Sequence, residues 1–162
     1  TSFSVTLLNV AVMVVSVVIT ILIIEKTGRK KLMLAGSASL AIVYGILGYL
    51  FLKGVTGLPI VLLTLTNVAI YSVTLAPVVW VILAEIFPNR IRGAAMSAAA
   101  IALWVGNFSL TFSFPAIKEN LGWANNFWLY GAICAVGFVL LYFRLPETKD
   151  KTLEQIESEL MN

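Results

Sequence analysis

The sequence predicts an all-α integral membrane protein with five transmembrane helices and a short cytoplasmic C-terminal helix. Hydrophobic residues make up 60% of the 162 residues and charged residues only 12%, whereas an ordinary soluble domain is about 25% charged. The mean hydropathy is +0.97. The apolar runs are about as long as a ~30 Å hydrocarbon core requires, and they lack the polar stripe of a surface helix. We therefore expect membrane spans rather than a soluble core.

Five apolar spans form the predicted bundle, residues 1–145. The spans cover about residues 3–24, 32–52, 60–87, 94–114 and 127–145, and the last two are separated by a predicted loop at 118–126. The third span is longer than one straight crossing needs. Because Pro77 removes a backbone donor and bends a helix, it predicts a break into two half-helices.

Residues 146–162 change character and form a predicted cytoplasmic tail. Thr152 and Gln155 make a capping-box pattern, which is typical of a helix start. Leu153, Ile156 and Leu160 fall on one helical face. A short amphipathic helix is the favoured interpretation, and a solvated tail is the alternative.

The positive charges predict the orientation in the membrane. Nine of the eleven Lys and Arg lie in three clusters after alternate spans: Lys26, Arg29, Lys30, Lys31, Arg90, Arg92, Arg144, Lys149 and Lys151. Such clusters mark cytoplasmic segments, so the N-terminus of the chain is expected outside and the C-terminus in the cytoplasm. This interpretation is favoured over nucleic-acid binding. Five crossings that begin outside without a signal peptide also indicate that part of the protein precedes Thr1.

The sequence offers few residues for catalysis, metal binding or disulfide formation. Cys134 is the only cysteine and lies inside an apolar span, and there is no histidine. An internal disulfide and histidine-based catalysis or metal ligation are therefore excluded. We expect no cofactor, no metal site and no enzymatic activity.

Three motifs carry a family resemblance. Residues 25–30 (EKTGRK) resemble the acidic-x-x-Gly-Arg-basic loop of major facilitator transporters. Residues 77–93 (PVVWVILAEIFPNRIRG) are similar to the tenth helix of the sugar porter family, and residues 146–149 (PETK) to its tail motif. The resemblance implies that the five spans correspond to helices 8–12 of a twelve-helix, glucose- or xylose-type transporter. The N-terminal transmembrane half is then missing from this sequence.

The resemblance also implies two groups of candidate sugar contacts. Trp80 matches the family tryptophan that lies under the sugar, and an indole suits pyranose C–H groups; an ordinary packing aromatic is the alternative. Trp104 and Asn107 share a face of the fourth span, and the family uses that face for sugar contacts. Leu103 replaces the polar amide that usually precedes this tryptophan, which affects the choice of sugar.

Other buried polar residues are weaker candidates for substrate binding. Asn9 stands one turn from the family asparagine, whose position is occupied by Met13. Tyr71 and Thr74 share a face with Asn67 on the third span. For all of them, cavity lining and hydrogen bonds between helices are both open.

Charged residues at the helix ends resemble the inner latch of the family. The matching positions are Glu25, Arg29, Glu85, Arg92 and Glu147. Exposed charge pairs are weak enough to break and reform during a cycle. The rule that positive charges mark the cytoplasmic side would explain the arginines alone. It would not explain the glutamates that lie beside them at the helix ends.

Together these features predict a secondary transporter of hexose or pentose sugars that works by alternating access. It would lie in the plasma membrane or bacterial inner membrane, with a sugar, membrane lipid and the missing half as partners. An exporter of drugs or other organic solutes is an alternative, favoured slightly by Leu103 and Met13. A five-span structural subunit is another. Proton symport and facilitated diffusion both stay open.

Overall fold

The computed structural model describes residues 2–87 and 90–145, with side chains described except at 2–5, 21–22 and 25–26. Four α-helices make up the secondary structure of this described part. They are α1 (Ser2–Thr27), α2 (Arg29–Leu52), α3 (Leu58–Ile86) and α4 (Arg92–Arg144). The predicted tail at 146–162, including its helix, lies outside the described residues.

Length and composition agree with a membrane protein. Among the described residues, α2, α3 and α4 are each long and apolar enough to cross a bilayer, and α1 contains a shorter apolar stretch, Thr6–Thr20. α1 and α2 meet at Gly28, whose φ of 91° lies in the region that favours glycine. The chain can therefore end one helix and begin the next within a single residue.

The fourth and fifth predicted spans are joined in the structure. α4 covers 53 residues and consists of two helices that meet at a kink at Gly122 (φ 79°, ψ 171°). The first part of α4 is residues 92–121 and the second part is residues 123–144. The predicted loop at 118–126 is thus reduced to one glycine. Its polar residues bond within the helix instead: Asn120 donates to the Ala116 carbonyl and Asn125 to the Leu121 carbonyl, both at 2.7 Å. Residues that look like a loop in the sequence therefore lie within helical turns.

α3 continues as one helix through Pro77, rather than as the two half-helices that the sequence predicts. Proline removes the donor that would reach the carbonyl four residues earlier, that of Val73, and its ring crowds the same carbonyl. In the structure, the Thr20 hydroxyl of α1 lies 2.9 Å from that oxygen. Because another donor is available, the turn does not have to open at the proline.

α2 is the central helix of the packing. It lies against α3, where a Cβ on Gly36 would collide with Thr74 and Leu75, and against the second part of α4, where Gly48 faces Trp128. Small residues of this kind let membrane helices approach closely. A buried apolar cluster of Leu32, Met33, Val78 and Ile82 joins α2 and α3 near the Gly28 connection.

The first part of α4, in contrast, has few neighbours. Every residue from 101 to 112 is exposed within the described chain. This segment stands away from α3, and the space between them forms the main cavity.

Candidate functional site

A cavity of about 990 Å³ lies between α3 and α4, with contributions from α1 and α2. Such a volume is at the upper end of the range for small-molecule sites. Its lining residues are Met13, Tyr44, Tyr71, Ala76, Val79, Trp80, Ala99, Ala102, Leu103, Trp104, Gly106, Asn107, Leu110, Thr111, Tyr130, Ile133 and Cys134.

Four of the six residues expected to contact substrate line this cavity. Tyr71 and Trp80 come from α3, and Trp104 and Asn107 come from the first part of α4. Trp80 is 43% exposed and Trp104 66% exposed, so both indoles keep free surface. Two consecutive helices therefore bring two indoles and an amide to one space.

The other two expected residues do not line the cavity. Thr74 is 8% exposed, contacts α2 at Gly36, and donates its hydroxyl to the Ile70 carbonyl at 2.6 Å. It lines a second, smaller pocket of about 290 Å³ beside Ala35 and Ser39. Three residues along a helix differ in direction by about 60°, which separates Thr74 from Tyr71. Asn9 lines neither cavity, and its Oδ1 is buried without a hydrogen-bond partner in the described part.

Four polar lining residues were not singled out from the sequence. Tyr44 comes from α2, Thr111 from the first part of α4, and Tyr130 and Cys134 from the second part of α4. The Tyr44 and Tyr130 rings lie 5.8 Å apart, and Asn67 donates to the Tyr44 hydroxyl at 3.1 Å. Tyr130 and Cys134 are four residues apart, so their shared face was a signal. Nothing in the sequence indicates that Tyr44 lines the cavity until the packing of α2 against α4 is known.

The chemistry of the cavity wall is neutral and amphipathic. Among the described residues, its lining contains no Asp, Glu, Lys or Arg. The polar groups are one amide and several hydroxyls, set among indole and alkyl surfaces. Aromatic faces with a few placed hydrogen-bonding groups suit an uncharged, polyhydroxylated ligand better than an ion. Within residues 2–87 and 90–145, no cluster of three or more His, Cys, Asp or Glu could hold a metal.

Charged residues meet at a separate place, where α2 begins and α3 ends. Arg29 Nη2 lies 3.0 Å from Glu85 Oε1, with side-chain exposures of 21% and 25%. Arg92, at the start of α4, donates through Nε to the Phe87 carbonyl at 3.2 Å. Two of the five expected latch residues are therefore paired, and a third bonds to backbone just beyond α3. The Glu25 side chain and Glu147 lie outside the described part.

Comparison with known proteins decides the family. The family profile described as "Sugar (and other) transporter" matches residues 1–160. The chain belongs to this sugar transporter family. It is accordingly a membrane protein of the major facilitator superfamily and not an enzyme.

Several sugar transporters resemble the chain closely. The arabinose-proton symporter of Bacillus subtilis is 39% identical over 145 residues, which are 89% of this chain and 31% of the relative. The D-xylose-proton symporter of Escherichia coli is 35% identical over 147 residues, or 87% of this chain and 30% of the relative. The chain thus spans about a third of the length of these relatives.

Solved structures give the same result for the fold. The inward-open xylose transporter XylE from E. coli matches with a TM-score of 0.90 and 34% identity, over 96% of this chain and 35% of that one. The sugar transporter profile includes every cavity-lining residue and the Arg29–Glu85 pair. Both features therefore lie within residues 1–160, the part of the chain that the profile matches.

Proposed function

We propose that the chain forms part of the substrate pathway of a secondary transporter for hexose or pentose sugars. The supporting observation is that Trp80 and Tyr71 of α3 and Trp104 and Asn107 of α4 meet at one uncharged cavity. The similar proteins named as arabinose- and xylose-proton symporters favour the same class of solute.

The proposed contacts follow from the chemistry of a pyranose. An indole face covers the apolar C–H groups of the ring, and its N–H meets a hydroxyl. The Asn107 amide both donates and accepts, so it can serve a hydroxyl in either role. Tyr44, Tyr71 and Tyr130 add hydroxyls on other walls of the same cavity. A sugar bound there would have hydrogen-bonding partners around its rim and aromatic surface against its faces.

The transport cycle that we propose is alternating access, with the Arg29–Glu85 pair in the inner latch. The pair joins the first turn of α2 to the last turn of α3, and each side chain keeps part of its surface exposed. Such pairs contribute only about 0–1 kcal/mol. A contact of that strength can break and reform in each cycle, whereas a deeply buried pair would hold one state.

We further propose that α4 crosses the membrane twice. A straight helix of its 53 residues would be about 80 Å long, far more than a ~30 Å hydrocarbon core. Division at Gly122 gives two segments of membrane length and a total of five crossings. The N-terminus of α1 would face outside and the C-terminus of α4 the cytoplasm.

The rest of the pathway would come from segments beyond this chain. The relatives are about three times as long, and residues 101–112 expose an apolar face in the chain alone. We propose that an N-terminal transmembrane half completes the cavity and moves against this part during transport.

An exporter of larger organic solutes is the second candidate. Met13, Leu103, Leu110 and Ile133 make much of the cavity wall apolar. A wall of this kind would favour a hydrophobic solute over a monosaccharide. Competition between a labelled sugar and a hydrophobic dye for the same site would separate the two candidates.

The direct test is equilibrium sugar binding to the Trp80→Ala variant. Removal of the indole should weaken binding of xylose, arabinose or glucose by about tenfold, which corresponds to about 1.4 kcal/mol of lost contact. Binding would be measured with radiolabelled sugar on purified protein in detergent.

Trp123→Ala is the matched control. Trp123 is 44% exposed, nearly the same as Trp80, and it stacks on Phe51 rather than lining the cavity. Its variant should bind sugar normally. Equal affinities for wild type and Trp80→Ala would contradict the proposed site.

A further inference from the structure

Pro77 leaves one backbone carbonyl of α3 without its usual hydrogen-bond donor inside the membrane. In a regular helix, the N–H of residue 77 would bond to the carbonyl of Val73, but proline has no N–H. Val78, the next residue, is fully buried, and Ser72 is 1% exposed. Val73 itself is half-buried, and an unsatisfied carbonyl in a membrane-spanning segment is costly.

A side chain from another helix lies at the freed carbonyl. Thr20 of α1 is 1% exposed, and its Oγ1 is 2.9 Å from the Val73 oxygen. The Ser16 carbonyl lies at 2.8 Å and the Ser72 carbonyl at 3.3 Å. The hydroxyl therefore has three acceptors within reach and only one proton to give.

The three acceptors differ in what else they can accept. In a regular helix, Ser16 already accepts the N–H of Thr20, and Ser72 accepts the N–H of Ala76. Val73 is the one whose backbone donor is missing, because residue 77 is proline. A hydrogen bond from Thr20 to the Val73 carbonyl, whether shared or exclusive, therefore satisfies the one acceptor that has lost its backbone donor.

We propose that Thr20 is a positioning residue for α3, whose hydroxyl replaces the amide proton that Pro77 lacks. The bond fixes α1 to α3 at the proline and allows α3 to continue without a break. Trp80 lies three residues beyond Pro77 and Glu85 eight residues beyond it. The direction in which α3 carries both side chains is therefore set partly from α1. This inference concerns helix geometry and does not depend on sugar being the solute.

A double-mutant cycle between Thr20 and Pro77 tests the proposal. Thr20→Val keeps the volume of the side chain and removes the donor, which should lower the melting temperature of the purified protein by about 2–8 °C. Thr20→Ser keeps the hydroxyl and should retain most of the stability. Pro77→Ala restores the backbone N–H, so Thr20→Val in that background should cost much less.

The control is Thr66→Val, because the Thr66 hydroxyl bonds only within α3, to the Leu62 carbonyl at 2.8 Å. Its effect should be small and independent of residue 77. The proposal is overturned if Thr20→Val is equally harmful with proline or alanine at 77, or if Thr20→Ser is as harmful as Thr20→Val.

A measurement on a folded variant complements the cycle should Thr20→Val alone fail to fold. The carbonyl ¹³C chemical shift of Val73, read by solid-state NMR, reports hydrogen bonding at that oxygen. Wild type and Thr20→Ser should show a bonded carbonyl. The Thr20→Val, Pro77→Ala double variant, which the proposal requires to fold, should show a bonded carbonyl as well. An unbonded Val73 carbonyl in wild type would overturn the proposal.

Discussion

At the scale of single residues, the cavity depends on side chains that combine an apolar surface with one hydrogen-bonding group. Trp80, Trp104 and Tyr130 all have this character and all line the same space. Such residues contact both the C–H groups and the hydroxyls of a sugar, and they keep few rotatable bonds to be ordered on binding. In the proposed site, Asn107, the single amide among the described lining residues, would supply the group that orients the ligand.

The Arg29–Glu85 pair gives the second prediction at this scale. Glu85→Gln should slow transport about two- to fivefold, because it removes a contact of about 0–1 kcal/mol that favours one state of the cycle. The affinity for sugar should change less than twofold, since the pair does not line the cavity. Transport rates in proteoliposomes and binding in detergent would be measured on the same preparation.

Charge reversal and an unrelated carboxylate are the controls for the pair. The double variant Arg29→Glu, Glu85→Arg restores opposite charges and should recover part of the rate. Glu119→Gln changes an exposed carboxylate on α4 and should have no effect. A loss of affinity with an unchanged rate would mean that Glu85 belongs to the binding site instead.

At the scale of helices, α2 holds the structure together through close contacts made by small residues. Gly36 lies so near to α3 that any Cβ would collide with Thr74. Gly45, nine residues later on the same helix, has nothing within 4 Å of its Cβ position. Alanine substitutions at the two glycines can therefore distinguish the effect of helix packing from the effect of helix propensity.

Alanine at these two positions should have opposite consequences. Gly36→Ala should lower the melting temperature, because α2 and α3 must separate to admit the methyl group, at a cost of about 1–3 kcal/mol. Gly45→Ala should be neutral or raise it slightly, since alanine favours a helix by up to about 1 kcal/mol. Thermal unfolding followed by circular dichroism gives both values. Equal shifts would show that the α2–α3 contact is not tight.

The elements also show where sequence reasoning is limited. Apolar length predicted an all-helical membrane protein correctly, because hydrocarbon thickness fixes how long a span must be. It did not predict that α3 continues through Pro77 or that the loop before residue 126 shrinks to Gly122. At both places side chains bond to backbone carbonyls, namely those of Thr20, Asn120 and Asn125. The Thr20 bond crosses between helices and becomes visible only after packing.

At the scale of the whole molecule, the packing of the helices decides which polar residues line the cavity. Sequence alone does not show this packing. Trp80 and Trp104 could be placed from sequence because their motifs resemble a known family. Thr74 could not, because a rotation of about 60° around α3 turns it toward Gly36 and α2. Tyr44 could not be found at all, since its place depends on how α2 meets α4.

The proposed topology gives a prediction for the intact membrane. In a Cys134→Ser background, Lys53→Cys should react with a membrane-impermeant maleimide added outside cells. Arg90→Cys should react only after permeabilisation, because the clustered cations mark the cytoplasmic side. Lys53 and Arg90 are both exposed in the described chain, so their accessibility depends on the side of the membrane. The reverse labelling pattern would contradict the proposed orientation.

The central claim is that sugar binds in the cavity between α3 and α4, and the native thiol of Cys134 tests it most directly. Cys134 lines the cavity and is the only cysteine of the chain. Xylose, arabinose or glucose at ten times its dissociation constant should slow alkylation of Cys134 about tenfold. In Trp80→Ala, whose affinity for sugar is expected to be about tenfold weaker, the same sugar concentration should slow alkylation only about twofold. An alkylation rate that none of the three sugars changes would contradict the account.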